Sequence, residues 1–360
     1  MPQLYPIKLF LPQSNKLSHK TAKPSLSGPE VFVDLVDKSS HPAALKEALD
    51  GLLKKDVYQA KPSQLYWYRK STLDNSYAGL LCGLPSQECI HPQLTTHEHV
   101  LDKRVQLFSD YLAATQLQAE PILVLHENTT FSDAFAAKMY KRSCATQYTL
   151  GNELHEIWLL DDEEAKEVKR FAAAAKQFHL ADGHHRLASC IDYADKYHKN
   201  ITVLSFVVAK NQLYNDRFVC ALKQFPKGIS AIDIEPKKTA NETSVKKLSI
   251  GCLMGKNTQQ IHFPKTTNAA SFLFEEILGF STLNAIDLGE YIDYFPPSAS
   301  LSAEFLSNAD PYKAKFFYDP LSIDQIIQTA KAQKKLPPKS TYLLPKLPTG
   351  LFIAPMDSFE

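Results

Sequence analysis

QFHLADGHHRLASCIDYADKY, residues 177–197, is the stretch whose reading decides the fold. Residues 177–181 read as a short strand that runs into Asp182-Gly183 and opens at once into a helix. Leu187, Ile191, Ala194 and Tyr197 fall on one face of that helix. Glycine allows a tight turn and a close approach of a ligand to the backbone. The N–H groups of the first helical turn, at the positive end of the helix dipole, attract anions. His184, His185 and Arg186 sit on that first turn, where cationic or donor side chains oppose the dipole unless something negative offsets them. Two plainer readings stand beside the anion cradle. Asp182 can simply cap the helix. A metal is the other, but successive helical residues point about 100° apart, which sets the two histidines against binding one ion.

Working outward, residues 201–209 form a β-branched, nearly apolar strand of the kind found at the centre of a sheet. Residues 156–160 read as a strand and 161–176 as a charged, alanine-rich helix. Residues 121–125 (PILVL) read as a buried strand, and 100–115 as a helix with Val105, Phe108 and Leu112 on one face. Residues 64–69 (QLYWYR) and 78–84 are predicted to be two strands around a polar turn at Asp74 and Asn75. Helical spacing of leucines marks 41–54, and a Pro-, Ser- and Lys-rich extended loop is expected at 16–29. Residues 126–153 have weak periodicity and read as an insertion or a lid. Residues 212–290 mix short strands and helices, 323–333 are helical, and 337–355 form an extended, proline-rich tail. Helices alternating with buried strands between residues 100 and 209 argue an α/β fold.

The composition narrows the function classes. With 44% apolar and 22% charged residues in 360, a packed globular protein is expected rather than a disordered one. A net charge of +1 gives no bulk electrostatic reason for a nucleic-acid or acidic-membrane partner. Cys82, Cys89, Cys144, Cys190, Cys220 and Cys252 include no C-x-x-C pair and lie mostly in apolar stretches, which suits reduced, packed thiols. The opening MPQLYPIKLFLPQ has no continuous apolar region or cleavage pattern, so no signal peptide is expected. The longest apolar runs fall far short of the roughly 20 residues of a membrane helix. A cytoplasmic protein is expected.

A second polar motif is TTHEHVLDKR, residues 95–104, leading into a helix. It is not the H-E-x-x-H metalloprotease pattern, because Leu101 stands where the second histidine is needed. Glu98 and Asp102 are four apart, on one face if the helix has begun, where they can hold a divalent cation or present a general base. Arg104 can grip a phosphate or carboxylate with two hydrogen bonds. The plainer reading of such a charged first turn is a solvated helix start.

LYWYR, THEHVLDKR, PILVLHE, HEIWLLDD, HLADGHHRLAS and LPPKSTYLLPKLPTGLF occur in this order, and with the opening YPIKLFLP they resemble the bacterial and archaeal family known as domain of unknown function 1015 over nearly the whole chain. A more distant likeness joins the His97-Glu98 pair, Arg104 six residues after the glutamate, the helix, the P-I-x-V strand and the D-G-H-H-R turn. This set is similar to the free serine kinases, which share a fold with ParB and sulfiredoxin. The resemblance implies a mixed sheet with a ParB/sulfiredoxin-like core at 95–210, an insertion at about 126–162, an N-terminal α/β region at 1–94 and a C-terminal α/β region at 211–360. Two stretches depart from the DUF1015 pattern. NDRFV places Asp216 before Arg217 where a His-Arg pair is usual, and YIDYFPPS (291–298) lacks the family's usual glycine.

The same resemblance implies roles. Glu98 becomes the base that activates an alcohol, with His97 beside it, and phosphate contact falls to Gly183, His184, His185, Arg186 and Arg104. Mg²⁺ is expected with the phosphates, held by Asp182 or Asp102, and ATP or ADP is the expected nucleotide. An amino-acid substrate needs a partner for its carboxylate: Arg104, or Lys339 or Lys346 if the tail folds back. The expectation is a nucleotide-dependent kinase of a small hydroxylated metabolite, free L-serine first, or the reverse dephosphorylation of phosphoserine. A nucleotide-responsive switch protein and a metal-dependent hydrolase are the alternatives. The chain shows no basic helix-turn-helix of the kind a DNA-binding relative needs.

Overall fold

The computed structural model describes residues 2–13, 46–47, 50–51, 54, 57–216, 218–230, 248–255, 257–263, 267–280, 288–295 and 311–356. The loop expected at 16–29 lies outside them, as does most of the helix expected at 41–54. By internal contacts the chain divides into two compact units, 1–96 with 102–213 and 345–360, and 97–101 with 214–344.

The first unit is built on strands β1 (Ile7–Pro12), β2 (Tyr58–Gln64), β3 (Tyr66–Ser71), β4 (Ser76–Pro85) and β5 (Leu94–Thr95). Helix α1 (Asp102–Thr115) leads through β6 (Leu117–Gln118) to β7 (Ile122–His126). Next come α2 (Thr129–Met139), β8 (Thr146–Leu150), β9 (Glu153–Leu159), α3 (Asp162–Ala174), β10 (Phe178–Asp182), α4 (His184–Tyr197) and β11 (Thr202–Ala209). Eight strands form one sheet in the order β5-β10-β7-β11-β4-β3-β9-β8. β5 with β10 and β7 with β11 run parallel, and the other neighbours run antiparallel, so the fold is mixed α/β. β11 is buried at all eight positions, as its unbroken apolar run requires of a strand covered on both faces.

Pleating sends neighbouring side chains to opposite faces. Trp67 joins the core that α2, α3 and α4 cover with Phe135, Met139, Val168, Phe171, Leu187 and Cys190. Tyr68, one residue on, meets Phe206 and Phe352 edge to face, with ring centroids 5.2 and 4.8 Å apart. Each such large buried side chain contributes roughly 1.5–3 kcal/mol. A capping box closes the start of α3, where Asp161 and Glu164 each accept a hydrogen bond from the other's backbone N–H.

Three expectations change. Residues 126–153 are no lid: α2 and β8 belong to the packed unit, and Phe135 and Met139 sit in its core. Alanine and serine dilute the apolar positions of α2, which hides its periodicity. On α4 the buried face runs through Leu187, Cys190, Tyr193 and Ala194, while Tyr197 is 43% exposed. The C-terminal stretch is extended but not solvent-facing. Leu351, Phe352 and Ile353 are buried, Ile353 exchanges backbone hydrogen bonds with Phe10, and a last short strand, Ala354–Pro355, pairs with β6.

The second unit contains β12 (Tyr214–Asp216), β13 (Val219–Leu222), β14 (Leu248–Met254), β15 (Asn257–Phe263), β16 (Ile292–Phe295) and β17 (Ala314–Tyr318). Helix α5 (Ile323–Lys331) and β18 (Tyr342–Leu344) complete it. β13 to β17 form an antiparallel sheet in the order β15-β14-β17-β13-β16. Its core gathers Cys220, Ile250, Cys252, Leu273, Phe274 and Phe316.

Candidate anion-binding site

β10 ends at Asp182, and Gly183 turns the chain with φ 92°. A Cβ at Gly183 would stand 3.0 Å from both the Nε of Arg186 and the Cγ2 of Ile122, so the turn requires glycine on two counts. Gly183 is itself the N-cap of α4, and no side chain caps the helix. The plain capping role for Asp182 is thereby overturned. Its carboxylate instead meets two cations, Arg186 Nη2 at 2.8 Å and Lys346 Nζ at 2.7 Å. Arg186 reaches further, to Glu120, whose carboxylate also accepts the hydroxyl of Thr349 at 2.9 Å. His184 is buried at 7% exposure, and His185 is half-buried.

The turn therefore carries two cations answered by two carboxylates. These ion pairs are partly exposed, and such pairs contribute at most about 1 kcal/mol each. A phosphate offers Arg186 and Lys346 stronger, charge-assisted hydrogen bonds, and the start of α4 adds its dipole. The arrangement is one that an arriving anion can open by exchange.

Lys346 is held in place from behind. Lys70 donates to the Lys346 carbonyl at 2.8 Å and pairs with Glu153 at 2.7 Å. Glu153 lies 3.5 Å from His155 Nε2, and His155 Nδ1 is 2.6 Å from the Tyr68 hydroxyl. Burial works to raise the Glu153 carboxyl, but hydrogen bonds from His155 and Lys70 hold it below its ordinary value. Burial lowers His155. Sequence reasoning missed Lys70, Glu120 and Thr349. A lysine two residues after the aromatic run of β3 was the one available signal, and nothing local distinguished the other two.

The His97-Glu98 stretch belongs to the second unit. It is extended, not helical, since α1 starts only at Asp102. Leu336 N–H donates to the His97 carbonyl at 2.7 Å, and His99 N–H donates to the Leu336 carbonyl at 3.0 Å, making a parallel bridge at Glu98. One Glu98 oxygen accepts both the backbone N–H of Thr341 at 3.1 Å and its hydroxyl at 3.2 Å. His97 is fully buried, with Nε2 3.3 Å from the same hydroxyl. Burial first, then Cys220, and last the charge of Glu98 raise the phenols of Tyr294 and Tyr318.

Three further candidates are Asp102, Arg104 and Lys339. Glu98 and Asp102 do not share a helical face, because Glu98 precedes the helix; Asp102 is exposed at the start of α1. Arg104 is exposed on α1, with its guanidinium 5.9 Å from the centroid of the Phe108 ring. Lys339, in the second unit, has φ 62° and places its ammonium 5.7 Å from the Phe218 ring centroid.

At Asp182 the surroundings do not suit a protein-held metal ion. Both Asp182 oxygens face cations, and the described residues contain no group of three or more His, Cys, Asp or Glu able to hold one. Mg²⁺ bound mainly by substrate phosphates needs no such cage. The six cysteines are free thiols, five of them buried. Among the described residues no helix is long and apolar enough to cross a membrane.

The family model for DUF1015, described as a protein of unknown function, matches residues 21–228. No curated protein sequence matches the chain. Among solved structures, a free serine kinase mutant in complex with ADP is similar at 12% identity over 77% of this chain and 92% of the other, with a TM-score of 0.44. A free serine kinase in complex with AMP is similar at 12% identity over 77% and 91%, with a TM-score of 0.43. A C-terminally truncated SbnI from Staphylococcus aureus is similar at 14% identity over 75% and 85%, with a TM-score of 0.44. Similarity at this level carries no argument about chemistry.

Proposed function

The chain belongs to the DUF1015 family, and from that premise we propose that it transfers a phosphoryl group between a nucleotide and the hydroxyl of a small metabolite, with free L-serine the first acceptor to test. The supporting observation is the turn at Gly183, where Arg186 and Lys346 converge beside a helix start that no side chain caps. Phosphoryl transfer asks little covalent chemistry of a protein. It asks for an oriented nucleophile and for neutralisation of phosphate charge. In this reading Arg186 and Lys346 leave Asp182 for the phosphate oxygens, and the first turn of α4 with His184 and His185 stabilises the charge that develops on them.

Glu98 is assigned the proton. A base must present a fixed, ionised oxygen, and the double donation from Thr341 fixes one Glu98 oxygen within its unit. Arg104 and Lys339 have weaker support as contacts for the substrate carboxylate, given their rings at Phe108 and Phe218. Lys346 is better supported as a phosphate contact.

The test is to incubate the chain with Mg²⁺, L-serine and either ATP or ADP and to look for O-phosphoserine by mass spectrometry. Phosphoserine alone is run in parallel for the reverse direction. Glu98→Gln is expected to keep nucleotide binding and to lose roughly two to four decades of turnover, the usual worth of a general base. Full turnover in that variant removes Glu98 from the mechanism. Nucleotide binding with no product from any hydroxylated acceptor favours a switch protein instead.

A further inference from the structure

Arg186 also lines a cavity of about 230 Å³ within the first unit, between α1 and α4. Phe108, Tyr111 and Leu112 of α1, Ile122 of β7, Cys190 of α4 and Val203 of β11 give it a mostly apolar wall. Three polar side chains in that wall, Thr115, Ser189 and Gln118, are already engaged. Thr115 donates to the Tyr111 carbonyl at 2.7 Å, and Ser189 donates to the His185 carbonyl at 2.6 Å. Gln118 accepts from Leu204 N–H at 2.8 Å and donates to the Thr202 carbonyl at 2.6 Å. Burial pushes the Cys190 thiol up to about 12, so it lines the cavity as a neutral group. Arg186 and Glu120 are the charged residues of the lining, and Tyr111 and Thr349 bring further hydroxyls.

The order of chemistries is informative. An apolar hollow comes first, then a carboxylate and a hydroxyl, then two cations at a helix start. A wholly apolar ligand has no use for that rim. The volume is below the roughly 300–1,000 Å³ of sites that enclose a whole drug-sized molecule, so the hollow takes one part of a ligand and leaves the rest at the rim. Arg186 and Cys190 are four residues apart on α4, about 6 Å along the axis, so anion seat and hollow are separated by little more than one sugar ring.

We propose that this cavity takes the heterocyclic base of a nucleoside phosphate by packing, without reading its hydrogen-bonding edge, and that Glu120 accepts the ribose hydroxyls. The proposal rests on the phosphate-binding reading of the Gly183 turn. Glu120 is ion-paired with Arg186 and accepts from Thr349. When phosphate draws Arg186 away, Glu120 loses its countercharge, and the two ribose hydroxyls are the donors that replace it. Phosphate and ribose binding are coupled through one guanidinium. Because the wall is mostly apolar, adenine and guanine nucleotides bind alike.

The experiment is isothermal titration of the full chain with ADP, GDP, 2′,3′-dideoxy-ADP and inorganic pyrophosphate, on the wild type and on Glu120→Ala. ADP is expected to bind at least about 30-fold tighter than pyrophosphate, through burial of the base, and GDP within about fivefold of ADP. The dideoxy nucleotide is expected to be about tenfold weaker than ADP on the wild type and equal to it on Glu120→Ala, since hydrogen bonds to a charged group are the stronger kind. The proposal is overturned if ADP binds no tighter than pyrophosphate, if GDP falls about a hundredfold below ADP, or if the dideoxy nucleotide matches ADP on the wild type. Those outcomes leave the phosphate seat standing. Failure of all four ligands to bind removes the seat and the cavity proposal together.

Discussion

Asp182 in the first unit and Glu98 in the second are both acidic residues that the sequence marks out, yet they are held by different means. Two cations face Asp182, whereas the backbone N–H and hydroxyl of Thr341 donate to Glu98. A carboxylate held by charge is exchangeable, because a stronger anion can take its partners. A carboxylate oxygen that takes a backbone N–H and a hydroxyl of one residue together is oriented. The first arrangement suits a binding seat and the second suits a base.

The largest expected effect extends that contrast to protons. Both tryptophans of the chain, Trp67 and Trp158, lie in the first unit, so their fluorescence reports that unit alone. His126 is 2% exposed, packs edge to face on Phe171 at 4.7 Å, and burial lowers its pKa to about 4. The unfolded chain titrates it near 6.5, so between pH 6.5 and 4 the unfolded state binds more protons than the folded one. The stabilisation is complete above pH 6.5 and is lost as pH falls toward 4. The interval of 6.5 minus 4 corresponds to about 3 kcal/mol at most. The urea midpoint read by tryptophan fluorescence should fall through that window, and His126→Phe should flatten the fall. A wild-type midpoint constant from pH 7 to 4 would show that His126 is not buried as the neutral form. His99 of the second unit is shifted the same way, by burial first, but it is less enclosed and contributes less.

The contrast between these regions also explains what could be read from sequence. Strand β11, the hairpin of β3 and β4, helix α3 and the break at Gly183 were legible because each rests on local chemistry: a continuous apolar run, two stretches around a polar turn, a charged alanine-rich stretch and a glycine after a strand. The pairing of Asp182 with Lys346 joins residues 164 positions apart, and that of Arg186 with Glu120 follows no sequence periodicity. Local pattern cannot supply such partners; Lys346 was named only beside Lys339 and Arg104, as a contact for a substrate carboxylate. Glu98 shares a helical face with Asp102 only if the helix has begun by residue 98, and it begins at Asp102. The backbone bridge to Leu336, a residue far along the chain, is what keeps the stretch extended.

A smaller effect tests whether the anion seat depends on its backbone. Gly183→Ala forces a side chain into a left-handed conformation, and its Cβ meets Arg186 and Ile122 at 3.0 Å. The combined strain is expected to cost about 2 kcal/mol, read as a lower urea midpoint by tryptophan fluorescence. Gly151→Ala is the control: its φ is 58°, but nothing lies within 4 Å of the added carbon, so about 1 kcal/mol is expected. Equal losses in the two variants would mean that Arg186 and Ile122 yield freely, and that the turn is not shaped by close packing.

The smallest effect falls on the second carboxylate and separates orientation from folding. Thr341→Val removes the hydroxyl that reaches Glu98 at 3.2 Å and His97 at 3.3 Å, while the backbone donor at 3.1 Å remains. One hydrogen bond to a half-buried charge-bearing group is lost and another survives, so stability should fall by about 1 kcal/mol. If Thr341 positions the base, turnover of the proposed phosphoryl transfer should drop up to about tenfold with the nucleotide KM unchanged, and Thr341→Ser should restore it. A purely structural threonine would lower stability and leave kcat of the folded fraction untouched. That result would place the burden of orienting Glu98 on the backbone N–H and on the bridge to Leu336, which no side-chain substitution at position 341 removes.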